Sequence, residues 1–271
     1  MLDSGVISLF FGAALATGLA AGIIAGMFGV GGGIIVVPAL LFLFANMDVN
    51  QDVIMHLAVG TSLATIVVTN SSVTFNHHRR GSVDWRLVLL FTPSTLLGAW
   101  LGSHLAATIN GAALRLLFGC FEIFVGLQML RGQKGDGTGK PVLTGKFDPL
   151  LGLVIGSISS LFGIGGGTLA VPTLNLLRGV PMLKAVGSAS AMGIFLACAG
   201  ALGYIQSGWG HAGLPPGSFG FVLPEAFLGI VCGSLLTTSI GVRMAHSLPQ
   251  KLLKRGFGVF LILVGIKLIL K

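Results

Sequence analysis

Two stretches of this chain set three consecutive glycines inside apolar sequence, and they are its strongest candidates for chemistry. Phe28-Gly29-Val30-Gly31-Gly32-Gly33-Ile34-Ile35-Val36-Val37-Pro38-Ala39-Leu40 returns 134 residues later as Phe162-Gly163-Ile164-Gly165-Gly166-Gly167-Thr168-Leu169-Ala170-Val171-Pro172-Thr173-Leu174, with 8 of 13 positions identical. Three successive glycines disfavour helix. A helix that restarts after them, at Ile34 and at Thr168, presents free N–H groups and the positive end of its dipole. Such an end attracts anions, and glycine lets a ligand approach the backbone closely. The expected chemistry is binding of an anion between Gly31, Gly32 and Gly33 on one side and Gly165, Gly166 and Gly167 on the other. No Lys or Arg lies in the middle of the apolar runs, so the site needs none. Pro38 and Pro172 fall near the first turn of the restarted helices, where a missing N–H costs little.

Hydroxyls follow each motif at matching places. Ala58-Val59-Gly60-Thr61-Ser62 aligns with Ala185-Val186-Gly187-Ser188-Ala189, followed by Ser190. Thr61, Ser62, Ser188 and Ser190 are candidate substrate contacts, although hydroxyls in apolar helices also bond back to their own backbone. Asn70, Ser71 and Ser72 extend a polar path inward, and Asn175 is either a cap or a contact. Glu122 is the acid nearest the centre of an apolar run. It is a candidate for proton coupling; the competing reading is a protonated side chain bonded to a neighbouring helix. Its counterpart in the second copy is Leu261. Glu225 and His104, like His77, His78 and His246, lie toward the ends of runs, where solvated roles are the default. Cys120, Cys198 and Cys232 have no metal-type spacing and read as buried small apolar residues. No cofactor or metal motif is present.

These residues must be positioned by membrane helices. The chain has 271 residues, of which 54% are hydrophobic and 9% charged, and its mean hydropathy is +0.95. That is too apolar for a water-soluble core. The net charge of +8 lies between apolar runs, where it marks topology and lipid headgroups rather than nucleic acid. Apolar runs fall at about 5–28, 34–45, 54–75, 87–108 and 113–130, then at about 149–162, 168–177, 185–205, 222–241 and 252–270. A Gly-, Pro- and charge-bearing stretch separates them, giving a first membrane repeat 1–130, a cytoplasmic linker 131–148 and a second repeat 149–271. Asp3 and the lack of Lys or Arg before the first run predict that this run is retained.

A bilayer core of about 30 Å needs about 20 helical residues. The runs 34–45, 149–162 and 168–177 are too short, so each glycine segment is expected to turn a re-entrant hairpin, leaving three crossings per repeat. An odd number of crossings inverts the second repeat. With the N-terminus in the periplasm, thirteen of the 16 Lys and Arg fall on the cytoplasmic side, with loop 76–86 and the linker, while 46–53 and 206–221 face the periplasm. The fold class is thus an all-α polytopic membrane protein of two inverted-topology repeats. Gly98/Gly102 and Gly229/Gly233 read as close-packing positions between helices.

The paired G-x-G-G-G-x4-P segments, Gly60-Thr61-Ser62, the loop His77-His78-Arg79-Arg80-Gly81-Ser82-Val83-Asp84-Trp85 and the duplicated helical layout resemble the sulfite exporter TauE/SafE family of membrane transporters. The resemblance covers nearly the whole chain. It implies a multi-pass permease of the bacterial inner membrane, without enzyme activity, for small sulfur-containing anions such as sulfite, sulfoacetate or other organosulfonates. Gly187-Ser188-Ala189-Ser190 departs from the hydroxyl register of the first repeat. Two other functions compete. A passive anion channel would use the same dipole-lined constriction. A rhomboid-like intramembrane serine protease would use Gly60-Thr61-Ser62 as a nucleophile motif, but the partner repeat moves the serine and no histidine sits beside it in a helix core. The expected partners are a small anion and the lipid bilayer; the sequence leaves the oligomeric state open.

Overall fold

The computed structural model describes residues 4–47, 49–131, 145–211, 213–247 and 250–270. Residues 132–144 of the expected linker lie outside the described residues. The described residues are helical, apart from short connections and an isolated bridge between Phe219 and Val222. In the first repeat the helices are α1 (Ser4–Phe28), α2 (Gly33–Ala45), α3 (Gln51–His78), α4 (Trp85–Thr108) and α5 (Gly111–Arg131). In the second they are α6 (Asp148–Phe162), α7 (Gly167–Pro172), α8 (Met182–Gly208), α9 (Pro224–Ser247) and α10 (Gln250–Leu270).

Local chemistry sets these boundaries. Asn50 caps α3 by accepting the Asp52 N–H at 2.9 Å, and the Asp84 carboxylate accepts the N–H groups of Arg86 and Leu87 to start α4. The restarted helices α2 and α7 have no such cap. Their N-cap residues are Gly32 and Gly166, in left-handed backbone at φ 78° and 74°, with no side-chain hydrogen bond. Glycine is needed there because a Cβ disfavours that conformation. Pro38 and Pro172 lie inside the helices rather than in their first turns. Because α2 and α7 begin at Gly33 and Gly167, each proline is in the second turn and deprives the carbonyl four residues earlier of its donor. After Pro172 the helix widens into a π turn over Thr173–Leu177.

Among the described residues, six helices are long and apolar enough to cross a membrane, one of them the stretch Leu9–Phe28 of α1. The sequence leaves open whether residues 5–28 form a hairpin arm or an extra crossing, and α1 is long and apolar enough for the crossing. The two arms are unequal: α1 has 25 residues, whereas α6 starts at Asp148-Pro149 and has 15. The half-helix α2, with 13 residues, extends about 20 Å and is too short to cross.

Packing pairs the repeats with each other. α1 lies along α9 and, in the matching arrangement, α6 lies along α4; α5 pairs with α10 and α3 with α8. Gly18, Gly22 and Gly26 bring α1 onto the α9 backbone at Ile230, Ser234 and Thr238, and Gly152 and Gly156 bring α6 onto α4. Gly98 and Gly102 meet the carbonyls of Leu153 and Ser157, while Gly229 and Gly233 meet α1. Lipid offers apolar helices no solvent-driven reason to associate, so such backbone-close contacts carry the packing. The core is α3 against α8, whose most apolar windows are each 78% buried against 33–50% for the other spans. These two helices are antiparallel: Gly60 near the start of α3 abuts Tyr204 near the end of α8, and Gly187 near the start of α8 abuts His77. Leu89, Leu97, Leu101 and Leu105 of α4 and Leu228, Leu235 and Leu236 of α9 are exposed, the outward apolar surface that a multi-pass membrane protein presents to lipid.

Candidate functional site

The two glycine loops meet at the centre of the α3–α8 pair. Gly165 N–H donates to the Val30 carbonyl at 3.2 Å. A Cβ added to Gly33 would strike the Gly163 carbonyl, and one added to Gly167 would strike the Gly29 carbonyl. Backbone therefore lies on backbone at this crossing. The N–H groups of Gly31, Gly32, Gly33 and Ile34, and those of Gly167 and Thr168, have no acceptor among the described residues, although all six residues are buried. Buried N–H groups without partners are rare in folded proteins. They are the orphan donors of two helix starts, gathered at one place.

The four predicted hydroxyls lie on the core helices α3 and α8. Thr61 Oγ1 accepts the Leu223 N–H at 2.9 Å, and Ser188 Oγ accepts the Asp84 N–H at 2.9 Å. Each ties a core helix to the loop that leads into α9 or α4. Ser62 donates to the Gly163 carbonyl at 2.8 Å, fixing the second loop from the first repeat. Ser190 donates to the Val186 carbonyl of its own helix and lies beside Gly29. Thus Ser62 and Ser190 touch the loops, whereas Thr61 and Ser188 bond to the segments that lead into α9 and α4.

Other side chains carry the unmet polarity. Asn70 is fully buried, and both its Oδ1 and its Nδ2 lack partners. Oδ1 lies 3.2 Å from where a Cβ on Gly31 would stand, and Nδ2 shares with the Gly165 carbonyl the space beside Gly193. Thr74 Oγ1 and His77 Nδ1 are also buried and unpartnered. Residues 70, 74 and 77 share one face of α3 by helical spacing, so a line of unpaired polar atoms runs from the crossing to the end of the helix. His77 Nε2 is hydrogen-bonded to the Gly26 carbonyl at 3.2 Å, and its ring faces that of His246 at 5.7 Å. On α8 the equivalent positions are Ala197, Ala201 and Tyr204, whose hydroxyl is bonded to the Leu161 carbonyl. The polar line belongs to the first repeat alone. Beside the second loop, Ser159 Oγ and Thr168 Oγ1 are unpaired as well.

The sequence pattern described as "Sulfite exporter TauE/SafE" matches residues 14–268. The chain belongs to this family. It is 35% identical over 257 residues to a "Probable membrane transporter protein" of Haemophilus influenzae, covering 95% of this chain and 97% of that one. It is 28% identical to the "Probable membrane transporter protein YunE" of Bacillus subtilis, covering 93% and 94%, and 31% identical to a "Probable membrane transporter protein" of Xylella fastidiosa, covering 90% and 89%. No solved structure matches it.

In this TauE/SafE family chain, Glu122 lies on α5, the helix that packs on α10. It is fully buried and neither carboxyl oxygen has a partner. Its counterpart Leu261 is equally buried. Farther along α5, Val125, Gln128 and Met129 border a partly open cavity of about 50 Å³ that reaches Gly167 and Thr168. Glu122 thus precedes, on the same helix, the wall of a cleft that ends at the α7 start. Thr74, His77, Ser159 and Thr168 are not singled out as site residues by sequence alone. The spacing of Asn70, Thr74 and His77 on one face of an apolar helix is a usable signal. For Ser159 and Thr168 there is none, because only the folded chain shows that they lack partners. No group of His, Cys, Asp and Glu suited to a metal ion occurs among the described residues.

Proposed function

We propose that this membrane transporter moves small sulfur-containing anions, sulfite or organosulfonates such as sulfoacetate, across the bacterial inner membrane. The anion is held between the starts of α2 and α7 and released by alternating access. The observation that carries this reading is the cluster of buried, unpartnered N–H groups on Gly31–Ile34 and Gly167–Thr168. In a water-excluded site such donors favour an anion without any cationic side chain.

Contact between the two loops favours alternation over a fixed pore. The Gly31 and Gly165 backbones touch, so an anion enters only when one loop withdraws from the other. The antiparallel α3 and α8 support a second repeat inverted in the membrane, and the Lys and Arg of loop 76–86 and the linker favour a cytoplasmic linker, with the N-terminus and loops 46–53 and 206–221 in the periplasm. Glu122 is the proposed proton-coupling group, being buried, unpaired and near the cleft wall.

The test is flux in proteoliposomes with a panel of sulfite, sulfoacetate, methanesulfonate and chloride. Counterflow of labelled sulfite against unlabelled sulfite is the expected result. Electrical conductance without counterflow would establish a channel instead, and no anion flux at all would remove the reading.

A further inference from the structure

We propose that Asn70 is a substrate-binding residue, and that its amide makes the site select anions that carry a hydrogen-bond donor of their own. This rests on the anion site proposed above and narrows its ligand, among the sulfur anions named there, to those with a proton to give: hydrogensulfite or an organosulfonate bearing an amino or hydroxyl group, and not the sulfoacetate dianion. The start of α2 supplies N–H donors from Gly31, Gly32, Gly33 and Ile34, which satisfy the oxygens of any oxyanion. Those donors do not distinguish one oxyanion from another. Asn70 adds the distinguishing chemistry. Its amide carries two N–H donors and a carbonyl acceptor, it is 0% exposed, and neither end has a protein partner. Its oxygen lies against Gly31 and its nitrogen against Gly193 and the Gly165 carbonyl. Rotating the amide by half a turn would set Oδ1 beside the Gly165 carbonyl, acceptor against acceptor, so the orientation with the oxygen toward Gly31 is the favoured one.

An acceptor aimed at an anion is unfavourable unless the anion brings a proton to it. A fully deprotonated dianion such as sulfate leaves the Asn70 carbonyl oxygen facing negative charge. A protonated oxyanion such as hydrogensulfite, or an anion bearing an amino or hydroxyl group, donates to that oxygen while accepting from the loop N–H groups. Sites with a buried polar group discriminate strongly against ligands that leave it unpaired. The repeat provides an internal contrast, because the position equivalent to Asn70 on α8 is Ala197 and that helix offers no matching amide. The ligand is therefore displaced from the pseudo-symmetric centre toward the first repeat.

Titration calorimetry on the protein in lipid nanodiscs tests this. The probes are sulfite, at pH values on either side of its second ionisation, and sulfate. The wild-type protein is expected to bind hydrogensulfite at least about tenfold more tightly than sulfite dianion or sulfate, the factor that one well-made hydrogen bond is worth. Asn70→Leu, close in shape, should remove that preference and leave similar weak binding of all three. Its thermal unfolding temperature should not fall, because an unpaired buried amide contributes nothing to stability. A structural amide predicts the reverse: lower stability and unchanged preference. Anion binding with no hydrogensulfite preference in the wild type, or a preference that survives Asn70→Leu, overturns this proposal alone. Absence of any anion binding overturns the proposed site as well. If Asn70→Leu does not fold, the wild-type preference decides the question together with Asn70→Ala, which installs the side chain that its counterpart Ala197 already carries.

Discussion

Gly31 and Gly165 stand back to back: a Cβ on either would lie 3.0 Å from the Cα of the other. The approach is reciprocal. A side chain at either position would crowd the backbone of the other. Each loop is the other's packing surface.

Gly31→Ala is accordingly expected to lower stability by more than the about 1–2 kcal/mol that left-handed backbone costs a residue with a Cβ, since φ there is +79° and the new carbon meets Gly165. Gly166→Ala has the same backbone strain at φ +74° but meets only the end of Leu196 at 3.1 Å. Thermal unfolding in detergent should rank Gly31→Ala as the more damaging, and an equal loss from both would show that the loop contact is not what holds the crossing.

Glu122→Gln keeps size and hydrogen-bonding capacity while removing the titratable proton. Proteoliposomes carrying this variant should retain anion exchange and lose acceleration by a pH gradient. Full acceleration in the variant would leave Glu122 a structural role only.

Thr61→Val and Ser188→Ala each remove the acceptor of a backbone N–H, that of Leu223 or Asp84. Each should destabilise the protein by about 1–3 kcal/mol while leaving the KM for the transported anion within about twofold of wild type, because each hydroxyl is engaged by a backbone N–H from a distant segment. Ser190→Ala, whose hydroxyl returns to its own helix, should be nearly neutral in stability. A large rise in KM for Thr61→Val would place that hydroxyl in the anion site after all.

Cysteines introduced at Arg79 and at Trp209, both exposed, report the two faces of the membrane. An impermeant thiol reagent added to intact cells should label position 209 and spare position 79, as the basic loop 76–86 on the cytoplasmic side requires. Labelling of position 79 from outside would reverse the proposed orientation.

The sequence by itself determined the membrane class, the duplication, the short half-helices after each glycine segment and the tight packing at Gly98/Gly102 and Gly229/Gly233. All of these follow from local composition, length and periodicity, which a bilayer converts almost directly into structure because backbone polar groups there must be satisfied within helices. The crossing of the two glycine loops, the exchange of helices between repeats and the partners of Thr61 and Ser188 were decided only by tertiary structure. Thr61 and Ser188 look alike as substrate contacts or as loop anchors until Leu223 and Asp84 are brought to them from distant sequence. Asn70 shows the same limit from the other side. Its sequence position marks a polar residue in an apolar helix, but whether that amide is satisfied depends on every backbone that surrounds it. Only folding leaves it buried beside Gly31 with both ends unpaired.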